Sequence, residues 1–230
     1  MTGVDSLVND EAALCSSFTC PPPGTIEKAA ASTMKYLDPR TMTDAEVYKV
    51  MTGIVVPRPI AWVTSRSRQG NANLAPFSSF TFVSHSPPML AIGVDTKPDG
   101  AGLKDTARNI LDTREFVVHI ADYSLLSPLH ASAEEYPAEI SEIDALGLRS
   151  VASSQVETPR LLDAPIAVEC RLNRCIELGQ GPTRLMIGDV LCFHVQDSLL
   201  SAGKIDTALL NPICRLAGPN YATVGQILQR

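Results

Sequence analysis

The stretch from Val55 to Val83, VVPRPIAWVTSRSRQGNANLAPFSSFTFV, limits the fold more than any other part of the chain. Pro57 and Pro59 flank Arg58, fix the direction of the backbone and push Arg58 out of the helical region. Ile60 to Thr64 then reads as a buried strand. Ser65 to Asn71, with Gly70 inside it, reads as a hairpin loop. Asn73 to Ala75 starts the return strand, and Pro76 cannot donate to a ladder, so a bulge or a sheet edge is expected there. Phe77 to Val83 continues as an alternating strand. The strand ends carry small and hydroxyl residues: Thr64, Ser65, Ala75, Ser78 and Ser79. The pattern describes a hairpin that turns its backbone and hydroxyl groups toward a ligand.

The rest of the 230-residue chain supplies what closes around that hairpin. Residues 1–33 read as an arm, either mobile or wrapped on a partner subunit, because CPPPGT (Cys20 to Thr25) cannot continue a helix. Residues 34–230 read as the folded domain. Thr43 and Glu46 form a capping-box pattern before a short helix ending near Gly53. Strands are expected at Met89–Val94, Glu115–Ile120, Ile166–Leu178 and Arg184–Val195, the last interrupted by Gly188. Lys104-Asp105-Thr106 opens a helix through Leu111, Tyr123–Ala133 reads as another, and Glu134–Leu146 is an acidic connector with a helical turn after Ser141. Short strands with turn signals between them, and few short helices, indicate a mainly β (α+β) barrel or sandwich.

Composition removes several classes of function. A net charge of −6 lacks the basic footprint of a nucleic-acid binder. There is no apolar run long enough for a membrane span, and the N-terminus lacks the basic start and apolar core of a signal peptide, so a cytoplasmic location is expected. The six cysteines form no CxxC pair and are expected as reduced thiols. Cys170 and Cys175 are five residues apart, which on a continuous strand puts them on opposite faces. No metal site is expected: the four histidines, His85, His119, His130 and His194, show no ligand spacing, and His119 and His194 read as satisfied strand histidines. G-x-S-x-G, G-x-G-x-x-G after a strand and a Walker loop are all absent. What remains is the hairpin and a helix start at Lys104-Asp105-Thr106. A helix N-terminus with a cation and a hydroxyl suits one phosphate; a solvated cap is the alternative.

These residues resemble a known family. PRPIAWVTS, the turn ending in Gly70, NLAPFSSF, SPP, KDTARNI, EFVV, VECR (Val168 to Arg171), IGDV (Ile187 to Val190) and RLAGPNY (Arg215 to Tyr221) occur in the order found in flavin reductase-like proteins. The resemblance covers about residues 35–224 and implies an FMN-binding split β-barrel of Greek-key type. It also implies a homodimer with one FMN per subunit at the dimer interface. The isoalloxazine would lie along the backbone of Asn73, Leu74, Ala75 and Pro76, near Thr64 and Ser65, with backbone N–H groups bonded to its polar edge. The phosphate would be held by hydroxyls and cations drawn from Ser78, Ser79, Lys104 and Thr106, with Arg58 contributing and Asp105 counted among the cofactor-binding residues. The implied activity is NAD(P)H-dependent reduction of FMN, with FAD as the alternative flavin, supplying reduced flavin to a partner monooxygenase. That chemistry is positioning, so no catalytic acid or base is assigned. Two alternatives share the flavin: an enzyme using bound FMN on its own organic substrate, and a non-enzymatic flavin or electron carrier. The chain departs from the family at His119, where Asn is commoner, at Ala217-Gly218, where Gly-Gly is, and at Ser86-Pro87-Pro88, where Asp-Pro-Pro is.

Overall fold

The computed structural model describes residues 34–97, 102–179 and 183–229. It divides into two units, Met1–Met42 and Thr43–Arg230. In the first unit the described residues hold one 3-10 turn, Pro39–Thr41, capped by the Asp38 carboxylate, which accepts from the Arg40 N–H at 3.0 Å. The arm expected over residues 1–33 lies outside the described residues.

The second unit opens with helix α1, Asp44–Ile54. Its capping box forms as expected: the Thr43 N–H donates to Glu46 Oε2 at 2.8 Å and the Glu46 N–H donates to Thr43 Oγ1 at 3.3 Å. No residue of α1 is buried, and Tyr48, Met51 and Ile54 are exposed.

Seven antiparallel strands make the main sheet: β1 (Ala61–Arg66), β2 (Ala72–Phe77), β3 (Phe80–His85), β4 (Pro88–Val94), β5 (Glu115–Ile120), β6 (Ile166–Leu178) and β7 (Thr183–Val195). Their order is β2-β1-β5-β6-β7-β4-β3. The strand expected over Phe77–Val83 is therefore two pieces. It breaks at Ser78-Ser79, and β2 and β3 lie on opposite edges of the sheet. A flat sheet of this order would be about 29 Å across at the usual spacing. The link from Phe77 to Phe80 reaches about 11 Å at most. The sheet must curl until its two edges approach, without an edge-to-edge ladder among the described residues. This is a split barrel.

The interior of the curl holds Val63, Ile92, Phe116, Val118, Val168 and Met186, closed by Ala107 and Ile110 of helix α2 (Asp105–Thr113). A second cluster packs Trp62 and Leu74 against Leu125, Leu129, Ile143 and Ile213. Leu129 belongs to α3 (Leu126–Ala131) and Ile143 to α4 (Glu142–Ala145). Trp62 Nε1 donates to the buried Ser132 hydroxyl at 2.8 Å, which fixes the end of α3 over the barrel wall. Arg58 and Pro59 pair with Cys214 and Arg215, and these with Tyr221 and Ala222, bringing the C-terminal segment alongside.

Two irregularities in the β6–β7 ladder redirect side chains. Gly188 pairs with Leu172 and Ile187 with Arg174, so Asn173 is an extra residue. It turns Cys175 back toward the interior cluster that also holds Cys170. The expectation that these two thiols face opposite ways is corrected: it assumed an unbroken two-residue period. The second irregularity leaves Leu191 unpaired between Val190 and Cys192. Gly188 itself is demanded by a close approach. A Cβ there would sit 2.4 Å from Phe116 Cζ and 2.8 Å from Cε1. Phe116 is fully buried, so its ring can yield only by moving its neighbours. Gly188→Ala is therefore expected to lower stability by about 1–3 kcal/mol in urea denaturation; an unchanged midpoint would show that the ring can yield.

Candidate functional site

The hairpin β1–β2 places its exposed edge beside the start of α2. A cavity of about 310 Å³ opens there, lined by Asn73, Ala75, Pro76, Lys97, Lys104 and Thr106 among others. A second cavity of about 340 Å³ lies on the far side of Pro76 and Ala133, which line both. Arg58, Ser78, Tyr48, Arg215 and Tyr221 border the second. Each volume is at the low end of ligand sites, and the two adjoin at Pro76 and Ala133 along the β2 edge, a region called the cleft below.

The α2 end of the cleft suits an anion. Lys104 is the N-cap residue and its side chain makes no capping hydrogen bond, so it leaves the first N–H groups of the helix to other partners. Thr106 is buried, and its Oγ1 accepts from Asn73 Nδ2 at 2.9 Å, which leaves the hydroxyl hydrogen free to donate. Lys97 and Lys104 bring positive charge, and Asp105 is paired with Arg108.

Along β2, register decides which backbone groups the cleft can use. Pro76 has no N–H and stands opposite Trp62, so that pair is a non-hydrogen-bonded one. By alternation the N–H groups of Asn73, Ala75 and Phe77 point at β1. Those of Leu74 and Pro76 would point outward. The Leu74 N–H donates to Glu142 Oε2 at 2.8 Å, and Pro76 has none. The edge therefore offers carbonyls, those of Leu74 and Pro76, and the Asn73 side-chain amide. Backbone N–H donation from Asn73–Pro76 to a ligand, expected from sequence, is not available in this arrangement.

The candidate residues fall into three groups. Asn73, Ala75, Pro76, Lys104, Asp105 and Thr106 line one cavity, and Arg58 and Ser78 line the other. Thr64, Ser65 and Leu74 are fully buried. Thr64 Oγ1 donates to the Pro159 carbonyl at 2.7 Å and Ser65 Oγ accepts from Asn109 at 3.3 Å, so both hydroxyls serve the interior. Ser79 is exposed and borders neither cavity; its carbonyl accepts the Gly93 N–H at 2.7 Å. Arg58 acts as a brace. Its guanidinium donates to the carbonyls of Thr52, Val55 and Leu216 at 2.8, 2.8 and 3.1 Å and to Ser78 Oγ at 3.3 Å.

Sequence reading passed over Glu142, hidden in an acidic connector. It is buried, borders the cleft and holds the Leu74 N–H. Burial pushes its carboxyl above the ordinary range, and Asp105 adds to the rise against the Leu74 hydrogen bond. It also passed over the cluster at the other end, where Arg215 stacks 4.6 Å above the Tyr221 ring and Tyr221 OH lies 2.9 Å from His130 Nδ1.

Residues 52–210 match the family described as the flavin reductase like domain. The chain belongs to the flavin reductase-like family. Its relatives include the uncharacterized protein BH2278 of Halalkalibacterium halodurans, 39% identical over 83% of this chain and 92% of that one. Among solved structures, nitrilotriacetate monooxygenase component B from Bacillus cereus is 37% identical, covers 87% of this chain and 100% of its own, and superposes with a TM-score of 0.84. The 2-nitrobenzoate 2-nitroreductase NbaA of Pseudomonas fluorescens is 30% identical over 85% of this chain and 95% of its own, with a TM-score of 0.77. The expected resemblance and the FMN-binding split-barrel fold class are both borne out. Within this flavin reductase-like domain, no helix among the described residues is long and apolar enough to cross a membrane.

Proposed function

We propose that this flavin reductase-like protein binds FMN in the cleft across the β2 edge and reduces flavin with NAD(P)H, supplying it to a partner monooxygenase. The observation that carries the reading is the start of α2, where Lys104 makes no capping bond of its own, opening with Thr106 on the same cavity as the β2 edge. The residues present fit FMN. Lys104, the Thr106 hydroxyl and the first N–H groups of α2 would hold its phosphate. Ala75 and Pro76, small and flat, let a ring approach the strand, and the Leu74 and Pro76 carbonyls accept from ring N–H. When bound, FMN supplies a two-electron carrier that takes hydride from a reduced nicotinamide. Glu142 keeps the β2 edge in place by its bond to Leu74. No side chain in the cleft has to move a proton for this role, in keeping with chemistry by positioning.

The similarity to a monooxygenase component B supports the partner. The exposed apolar side chains of α1, beside the second cavity, support a homodimer in which a second copy covers them. One observation favours another reading: the 30% identity to a nitroreductase fits FMN used on the protein's own organic substrate.

The test is to purify the protein, record its flavin absorbance, and follow NADH and NADPH oxidation with and without added FMN or FAD. Oxidation that rises with free flavin is expected. Oxidation driven only by a nitroaromatic favours the second reading, and failure to bind any flavin sinks both.

A further inference from the structure

On the outer face of the sheet, away from the interior cluster, three side chains of different chemistry meet. Glu169 on β6 pairs directly with Cys192 on β7 in the ladder, and His194 follows two residues on. The unpaired Leu191 creates this arrangement. Val190 packs with the interior cluster, and on a regular strand Cys192 and His194 would share its face. The extra residue flips the phase, so both turn outward to the face that carries Glu169.

The ligand-type atoms of the three all lie within 4.8 Å of one another. His194 Nε2 is 2.6 Å from Glu169 Oε1 and 3.5 Å from Cys192 Sγ. Glu169 is fully buried, and its two oxygens accept the Ser154 and Gln155 N–H groups at 2.7 and 2.6 Å. These two bonds lock the carboxylate in orientation, as an outer shell of hydrogen bonds does for a metal ligand. His194 and Cys192 are only partly buried, so an ion has a path in.

We propose that Glu169, Cys192 and His194 form a zinc-type divalent metal site, with water as the fourth ligand. A mixed thiolate, imidazole and carboxylate set matches zinc and not the oxygen-only preference of magnesium or calcium. Tetrahedral coordination at usual bond lengths separates N and S ligands by about 3.6 Å, close to the spacing found. The N···O contact must open by about 0.7 Å, the distance at which an ion replaces the hydrogen now between them. Binding releases the Cys192 thiol proton, and the hydrogen now on His194 Nε2 passes to Nδ1 as Nε2 takes the ion. The site owes nothing to the flavin reading.

The experiment uses the full, reduced, metal-free chain with its native flavin content. Co²⁺ is added and followed by difference spectra, then Zn²⁺ is titrated against a chromophoric chelator. One Co²⁺ per chain with a thiolate charge-transfer band is expected, displaced by Zn²⁺ and absent in Cys192→Ser. His194→Gln should weaken Zn²⁺ at least tenfold, and flavin content should stay unchanged in both variants. A wild-type chain that takes up no Co²⁺ or Zn²⁺ overturns the proposal. So does a Cys192→Ser variant that retains the band, or paired variants that bind Zn²⁺ as tightly as wild type.

Discussion

Replacing Lys104 with Ala and Thr106 with Val together is expected to weaken FMN binding by about two orders of magnitude. Hydrogen bonds to a charged group contribute about 1.5–3 kcal/mol each, and every 1.4 kcal/mol is tenfold in affinity. Lys104 adds charge at a helix start that its own side chain does not cap, and Thr106 Oγ1, which accepts from Asn73, has its hydrogen left to donate. The measurement is a fluorescence titration of the apoprotein with FMN, with riboflavin as the comparison. Loss confined to FMN places the phosphate at α2; equal loss for both ligands, or a Kd within twofold of wild type, removes these residues from that role. Thr106→Ser keeps the hydroxyl and should keep the affinity. The Asn73 amide loses its acceptor in Thr106→Val, so melting temperatures should be read alongside.

The second large effect lies in the dependence of stability on pH. His119 is fully buried; its Nδ1 lies 2.9 Å from the Trp62 carbonyl and its Nε2 accepts the Leu161 N–H at 2.9 Å. Both bonds together need the neutral ring with its hydrogen on Nδ1. Burial, the dominant cause, lowers its pKa from 6.5 to about 4, with the nearby Arg160 and His194 adding to the fall. An unfolded chain takes up a proton here below pH 6.5, while the folded chain does so only near 4. The stabilising contribution is thus complete above 6.5 and is lost as pH falls toward 4. The total is about 3 kcal/mol, at about 1.4 kcal/mol per unit. Glu142 runs the other way: its raised carboxyl favours the folded state on the acid side. The difference between wild type and His119→Asn isolates the histidine. In urea denaturation the gap between them should be widest at pH 7 and shrink by about 3 kcal/mol by pH 4. A gap that does not change with pH would mean the buried ring is not held neutral.

Local signals were legible in the sequence. The Thr43–Glu46 box, the strand Glu115–Ile120 and the strand Ile166–Leu178 needed only capping chemistry and side-chain period, and the structure has them at those positions. Pro76 named a sheet edge from its missing N–H. What escaped depended on partners far along the chain. Nothing local shows that Thr64 reaches Pro159, or that Arg58 reaches Leu216, so residues that look ligand-facing turned out to be bound inside. Extra residues at Asn173 and Leu191 reverse the phase of a strand without changing its composition. A count of two therefore misassigned Cys175, and it could not bring Cys192 and His194 to Glu169. Glu142 was hidden for the same reason: among the acids of its connector, only the fold tells which one is buried.

The β2 edge has a consequence for the molecule's life in a crowded solution. An unpaired strand normally invites another chain to add to it, since its outward donors and acceptors wait for partners. Here Pro76 removes one donor and Glu142 occupies the next at Leu74. A stray strand approaching between Leu74 and Pro76 would meet two carbonyls and no available N–H. Pro76 and Glu142 thus withhold from this stretch of the border the donors that a further strand would pair with.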